Sequence, residues 1–138
     1  MRAYLDASAL AGRYVRERST GRVEAILRDS SSMGTSVLSI PEILSALCRR
    51  RREGALSSTG YQQAKDALLE DVTDAFIVPV SPPVVQRAAE LLEAAHELSA
   101  VDALHLGSAL EWGAQLFVSA DERQLAAAAR FGLPTSRV

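Results

Sequence analysis

Two kinds of apolar run alternate along this chain. Short unbroken runs lie at residues 3–5, 76–80 and 116–118, and their length predicts interior strands. Between them, apolar residues recur at three- and four-residue spacing. Val23, Ile26 and Leu27 form one such set, and Ile43, Leu44 and Leu47 another. Ala64, Leu68 and Val72 make a third, followed by Val85, Ala88, Ala89 and Leu92. That spacing gathers each set on one face of a helix.

The polar residues between these runs mark the boundaries. A short helix is expected after the first strand, through Tyr14 and Val15, and a second over 20–29. Residues 30–34, "SSSMG", predict a turn, and residues 35–39, "TSVLS", a brief strand. Ser39 before Ile40 and Pro41 predicts an N-cap, with Glu42 in the first turn of a helix reaching Gly54. A further helix covers "LSSTGYQQAKDALLEDVTDAF". Ser81 and Pro82 open the next, and Ser99 caps one that carries Asp102 in its first turn. Gly132 closes the final helix, and "LPTSRV" holds at most one edge strand. Strands separated by helices predict an α/β fold with a central parallel sheet between helical layers. With no linker, repeat or low-complexity block, one domain over residues 1–138 is expected.

Ligands of such sheets bind beyond the carboxyl ends of the strands. Asp6 follows the first strand there and Asp121 follows the strand at 116–118, while Glu42 and Asp102 can reach the same rim from helix N-termini. Each acid also has an ordinary reading. Asp6 and Asp121 can cap helices, and Glu42 and Asp102 are favoured by the helix dipole.

Composition narrows the chemistry. Apolar residues make up 48% of the 138 positions, which argues against a disordered chain. A formal net charge of −2 argues against a general nucleic-acid coat. Local charge is uneven, because Lys65 is the sole lysine and four arginines stand together at 49–52. Arginine presents a planar fork suited to phosphate or carboxylate. Cys48 is the only cysteine, so neither an internal disulfide nor a thiolate metal cluster is available. No segment approaches the roughly 20 apolar residues of a membrane span, and a cytoplasmic protein is expected.

If the four acids share one rim, their repulsion requires protonation or a compensating cation. Mg²⁺, with Mn²⁺ as the alternative, suits an all-oxygen set. His96, His105 and Cys48 show no zinc-ligand spacing, and His105 is expected as a satisfied helix histidine. An acidic metal site beside arginine clusters suits a polynucleotide phosphate, where a cation activates water and stabilises the leaving oxygen.

The segments "YLDASAL", "SIPEILSALCRRRREG" and "LSAVDALHLGSALEWGAQLFVSADERQLAAAARFGL" occur in an order and spacing that resembles the PIN-domain family. The likeness is strongest to the VapC-type toxin ribonucleases of toxin–antitoxin pairs. It covers residues 3–133, with a generic middle, and implies a three-layer α/β/α PIN-like fold. It also implies a Mg²⁺- or Mn²⁺-dependent endoribonuclease that dimerises and is inhibited by a cognate antitoxin. Carried over by position, the family's acids are Asp6, Glu42, Asp102 and Asp121, all four entering the metal and catalytic set. Glu42 is expected to orient the attacking water or accept its proton. Ser8 and Ser119 match supporting hydroxyl positions. Gly12 stands where relatives often carry lysine, and little chain follows Pro134 for a final strand.

Among the arginines, Arg49 and Arg52 are the candidates for RNA or partner contact, the others being solvated or paired with acids such as Glu53. Leu10, Tyr14, Ile43 and Leu47 are candidates for dimer surface, with core packing favoured for Ile43 and Leu47. Trp112 is expected to pack internally. A non-catalytic RNA- or metal-binding PIN-like module is the rival reading. A response-regulator-like domain is disfavoured, because it needs paired acids after the first strand and a late lysine.

Overall fold

The computed structural model describes residues 1–138. Five strands form one sheet in the order β3-β2-β1-β4-β5. They are β1 (Arg2–Leu5), β2 (Ser32–Ser36), β3 (Phe76–Val78), β4 (Leu116–Ser119) and β5 (Thr135–Arg137). Every neighbouring pair is parallel. The connecting helices are α1 (Ala7–Leu10), α2 (Thr20–Asp29), α3 (Ser39–Arg52) and α4 (Ser58–Asp74), then α5 (Pro82–Ala94), α6 (Ala100–Trp112) and α7 (Glu122–Arg130).

Side-chain alternation along the central strands builds a core on each face of the sheet. Ala3 and Leu5 of β1, with Val118 of β4, pack against Leu10, Val23, Ile43, Leu47 and Leu68 from α1 to α4. Tyr4 and Phe117 point the other way, onto Val84, Leu91, Ala103, Leu106 and Ala128 from α5, α6 and α7. The three-layer α/β/α arrangement expected from the sequence is therefore present. No helix is long and apolar enough to cross a membrane.

Several boundaries differ from the sequence reading. Residues 32–36 form β2 rather than a turn followed by a strand at 35–39, with Ala3 paired to Met33 and Tyr4 to Gly34. Pairing with β1 overrides the weak strand propensity of "SMGTS". Gly34 is there for space: a Cβ at this position would lie 2.6 Å from the Trp112 ring, which lies against β2 here and stacks on Phe76 of β3. Ser39 is not an N-cap. It is the first residue of α3, and its hydroxyl lies 2.6 Å from that of Thr35, which donates to the Leu5 carbonyl. The first helix stops at Leu10 and continues only as a 3-10 turn over Ala11–Arg13. Tyr14 lies beyond it and donates to Asp71, which Arg13 also grips at 2.7 Å.

Leu10, Ile43 and Leu47 are at most 3% exposed within one chain, so none supplies surface for a second copy. Packing decides Ile43 and Leu47 as expected, and corrects Leu10. β5 forms despite the short run after Pro134, pairing Thr135 with Phe117 at the sheet edge.

Candidate acidic site at the carboxyl edge of the sheet

β1 lies at the switch point of the sheet, with β2 on one side and β4 on the other. Chain leaving β1 and β4 therefore diverges and opens a crevice at the carboxyl edge. Asp6 and Asp121 stand there, one position past β1 and two past β4. Glu42 enters from the first turn of α3 and Asp102 from the first turn of α6. All four acids line a single cavity of about 100 Å³, with Ala7, Ser8, His105 and Gln124. No lysine or arginine lines it.

The capping reading and the convergence reading hold together for three of the acids. Asp6 caps α1 by accepting from the Ala9 amide at 2.9 Å, and Asp121 caps α7 through the Arg123 amide at 2.9 Å. Asp102 forms a reciprocal box with Ser99, each side chain accepting from the other's backbone amide at 3.2 Å. A cap fixes a carboxylate at a helix N-terminus with one oxygen engaged, which also sets the direction of the other.

Asp6 is the deepest of the four, only 3% exposed. Ser8 and Ala9 donate to Oδ1, and Ser119 donates to Oδ2 at 2.7 Å. Burial pushes its pKa above the ordinary aspartate value, and those three hydrogen bonds only partly oppose it. Partial burial also acts to raise Asp121. There the amide and guanidinium of Arg123 and the Gln124 amide prevail and hold the carboxyl below its usual value.

Ser8 and Ser119 are placed at the base of the crevice. The Ser8 hydroxyl accepts from the Ala120 amide and Ser119 accepts from the Asp121 amide, while each donates to Asp6. The two hydroxyls thus tie the end of β1 to the end of β4. Arg49 lies beside Glu42 in an adjoining groove with Leu38, Pro41, Ser45 and Val101, whereas Arg52 is exposed and lines neither cavity. Arg50 pairs with Glu17 at 3.7 Å, and Arg51 lies over the Tyr61 ring. Neither pairs with Glu53. Gly12 is buried, and a Cβ there would meet the Ser19 hydroxyl at 2.7 Å.

Three contributors are not legible as site residues in the sequence. His105 is a satisfied helix histidine, as expected, but it also lines the cavity and meets Glu42 Oε1 through Nε2 at 2.7 Å. The Tyr4 hydroxyl lies 2.9 Å from its Nδ1, and burial holds the Tyr4 phenol far above its ordinary pKa, so it keeps its proton. In a neutral imidazole this fixes the tautomer: Tyr4 donates to Nδ1 and Nε2–H donates to the carboxylate. Gln124 donates from Nε2 to Asp102 Oδ1 at 2.8 Å. The signals available were the three-residue spacing from Asp102 to His105 and from Asp121 to Gln124. Tyr4 left none, because its role depends on a contact 101 positions away.

The donor chemistry fits a hard divalent cation. The cavity offers carboxylate and amide oxygens, and the His105 Nε2 is already committed to Glu42. No three His, Cys, Asp or Glu side chains form a ready-made cage. An ion here would meet part of the set through water, which suits Mg²⁺, an ion that dehydrates reluctantly.

Comparison with curated proteins gives no match. Among solved structures, the fold is similar to Mycobacterium tuberculosis VapC20, described as a sarcin–ricin-loop-cleaving toxin. That match has a TM-score of 0.73 at 19% identity and covers 99% of both chains. FitAcB from Neisseria gonorrhoeae gives 0.74 at 17% identity, over 96% of this chain and 95% of that one. A toxin–antitoxin complex from Klebsiella pneumoniae gives 0.71 at 15%, over 97% and 95%. The family model described as PIN domain matches residues 3–130, and on that match the chain belongs to the PIN-domain family.

Proposed function

We propose that this protein is a divalent-metal-dependent endoribonuclease of the VapC type, the toxin of a toxin–antitoxin pair. The observation that carries the reading is the meeting of Asp6, Glu42, Asp102 and Asp121 in one cavity lined by no lysine or arginine, with Arg123 reaching only Asp121 from outside it. Membership in the PIN-domain family and a fold shared with a toxin that cleaves RNA support it. The solved toxin–antitoxin complex of the same fold supports an antitoxin as protein partner. Assembly as a homodimer belongs to the same proposal.

Asp6, Asp102 and Asp121 would hold Mg²⁺ or Mn²⁺, with Glu42 at the edge of the set. The cation supplies charge neutralisation at the phosphodiester and lowers the pKa of water. The protein's own groups do the positioning. Ser8 and Ser119 hold Asp6 in a single rotamer, and Ser99 does the same for Asp102. Glu42 is 37% exposed and is oriented by His105 through Oε1, leaving Oε2 to accept a proton from the attacking water. Arg49 lines the groove that shares Glu42, which supports a contact to an RNA phosphate. Water adding to phosphorus in line with the 3′-oxygen breaks the P–O3′ bond and leaves the 2′-hydroxyl unused, giving a 5′-phosphate and, once the leaving oxygen is protonated, a 3′-hydroxyl.

The test is cleavage of total cellular RNA with mapping of the new ends, with Mg²⁺, with chelator, and with Asp102→Asn beside the wild type. Metal-dependent cuts bearing 5′-phosphates and lost in the variant are expected. RNA binding without any cleavage under these conditions would replace the nuclease reading with a non-catalytic module.

A further inference from the structure

Gln124 sits at an unusual position for a glutamine. It is the third residue of α7, only 2% exposed, and it faces the cavity shared by the four acids. Its two amide atoms are treated differently. Nε2 donates to Asp102 Oδ1 at 2.8 Å, whereas Oε1 has no hydrogen-bond partner and is buried from solvent.

Reversing the amide does not help, because it would set a carbonyl oxygen against a carboxylate oxygen. Asp102 therefore dictates that the orphan atom is an acceptor. A buried carbonyl without a donor is unfavourable, and the bond from Nε2 to Asp102 accounts for only one end of the amide. The orphan oxygen thus needs a partner that the protein itself does not supply. The cavity has room for a cation with some of its water.

We propose that Gln124 is a fifth residue of the cation site, holding Asp102 through Nε2 and offering Oε1 to the hydrated ion. This rests on the metal-dependent reading of the acidic cavity and extends it to a side chain outside the four acids. A neutral amide has a physical advantage here. It adds an oxygen donor of the type Mg²⁺ and Mn²⁺ accept without adding a fifth negative charge to four repelling carboxylates. Its clamp on Asp102 also limits the number of rotamers that the ion must select. Gln124 is a positioning residue in this scheme, because it touches the metal site and not the scissile bond.

The experiment is Mn²⁺ titration by calorimetry, paired with thermal denaturation of the metal-free protein, for wild type, Gln124→Met, Gln124→Glu and Asp102→Asn. Gln124→Met is expected to weaken Mn²⁺ binding roughly 10- to 100-fold, while the metal-free Tm stays level or rises as the orphan oxygen disappears. Gln124→Glu is expected to do the reverse, tightening Mn²⁺ binding and lowering the metal-free Tm. Wild-type affinity in both Gln124 variants, with affinity lost in Asp102→Asn, overturns the role of Gln124 and leaves the acidic metal site standing. Weakened binding in Gln124→Met that merely tracks a lower metal-free Tm, with no gain in Gln124→Glu, also overturns it. No Mn²⁺ uptake by the wild type overturns both.

Discussion

His105 Nε2 meets Glu42 Oε1 at 2.7 Å, joining α6 to α3 across 63 positions of sequence. Behind it, the Tyr4 hydroxyl closes on Nδ1 at 2.9 Å, so two buried side chains lead to one carboxylate of the acidic cavity. Glu42 would otherwise be a flexible side chain at a helix start, with the rotamer freedom of a surface glutamate. The relay turns it into an oriented group.

The relay makes His105 a test of Glu42's role. His105→Leu is expected to cut RNA cleavage roughly 10- to 100-fold, the usual scale for losing a partner that orients a site ligand. It should also cost about 1–3 kcal/mol of stability, because the Tyr4 hydroxyl is left buried without a partner. Tyr4→Phe in the same background should recover part of that stability and none of the activity. Wild-type cleavage by a folded His105→Leu variant would remove Glu42 orientation from the mechanism.

Asp6 contributes a pH dependence to the stability of the metal-free protein. Burial raises its folded pKa, so the folded state binds this proton more tightly than the unfolded chain. Stability from Asp6 is present while it is protonated and is lost as pH rises from the ordinary aspartate range through the raised folded value. Asp6→Asn retains the N-cap, since asparagine caps as well as aspartate. At pH 7 the metal-free variant should therefore melt above the wild type, each kcal/mol gained appearing as roughly 3–6 °C. The gap should close toward about pH 4, and Mg²⁺ should stabilise only the wild type. Melting curves across pH check this, and a variant less stable at pH 7 would contradict it. Cleavage should be abolished.

Arg49 and Arg52 give opposite expectations despite lying in one run of arginines. Arg49 borders the groove containing Glu42, and Arg52 lines neither cavity. Arg49→Ala should lower the salt dependence of single-stranded RNA binding by about 0.7 in log–log slope, the value of one phosphate contact. Arg52→Ala should leave the slope unchanged. Equal effects from both would mean that the RNA track does not follow this groove.

Gly34 offers a control on the fold rather than the site. Gly34→Ala drives a methyl group to 2.6 Å from the Trp112 ring, which must leave its stack on Phe76. A loss of about 1–3 kcal/mol is expected from overpacking. Trp112 is the only tryptophan, so its fluorescence reports the displacement directly. An unchanged emission spectrum and Tm would show that the ring has room to move.

The sequence by itself determined the layers of this protein and the edge at which its acids stand. Apolar runs at residues 3–5 and 116–118, with helical spacing between them, are local patterns that burial enforces wherever the chain folds. Asp6 and Asp121 follow strands and Asp102 opens a helix, so their common edge was legible. Tertiary structure decided what local pattern cannot carry. "SMGTS" became a strand because β1 offered it a pairing edge, and Ser39 turned to Thr35 because α3 begins against the sheet. The link from Tyr4 through His105 to Glu42, and the clamp of Gln124 on Asp102, join positions that are distant in the chain. Such contacts depend on how helices rest on a sheet. Spacing along one helix shows which polar groups share a face, but not which atom of a neighbouring element each will meet.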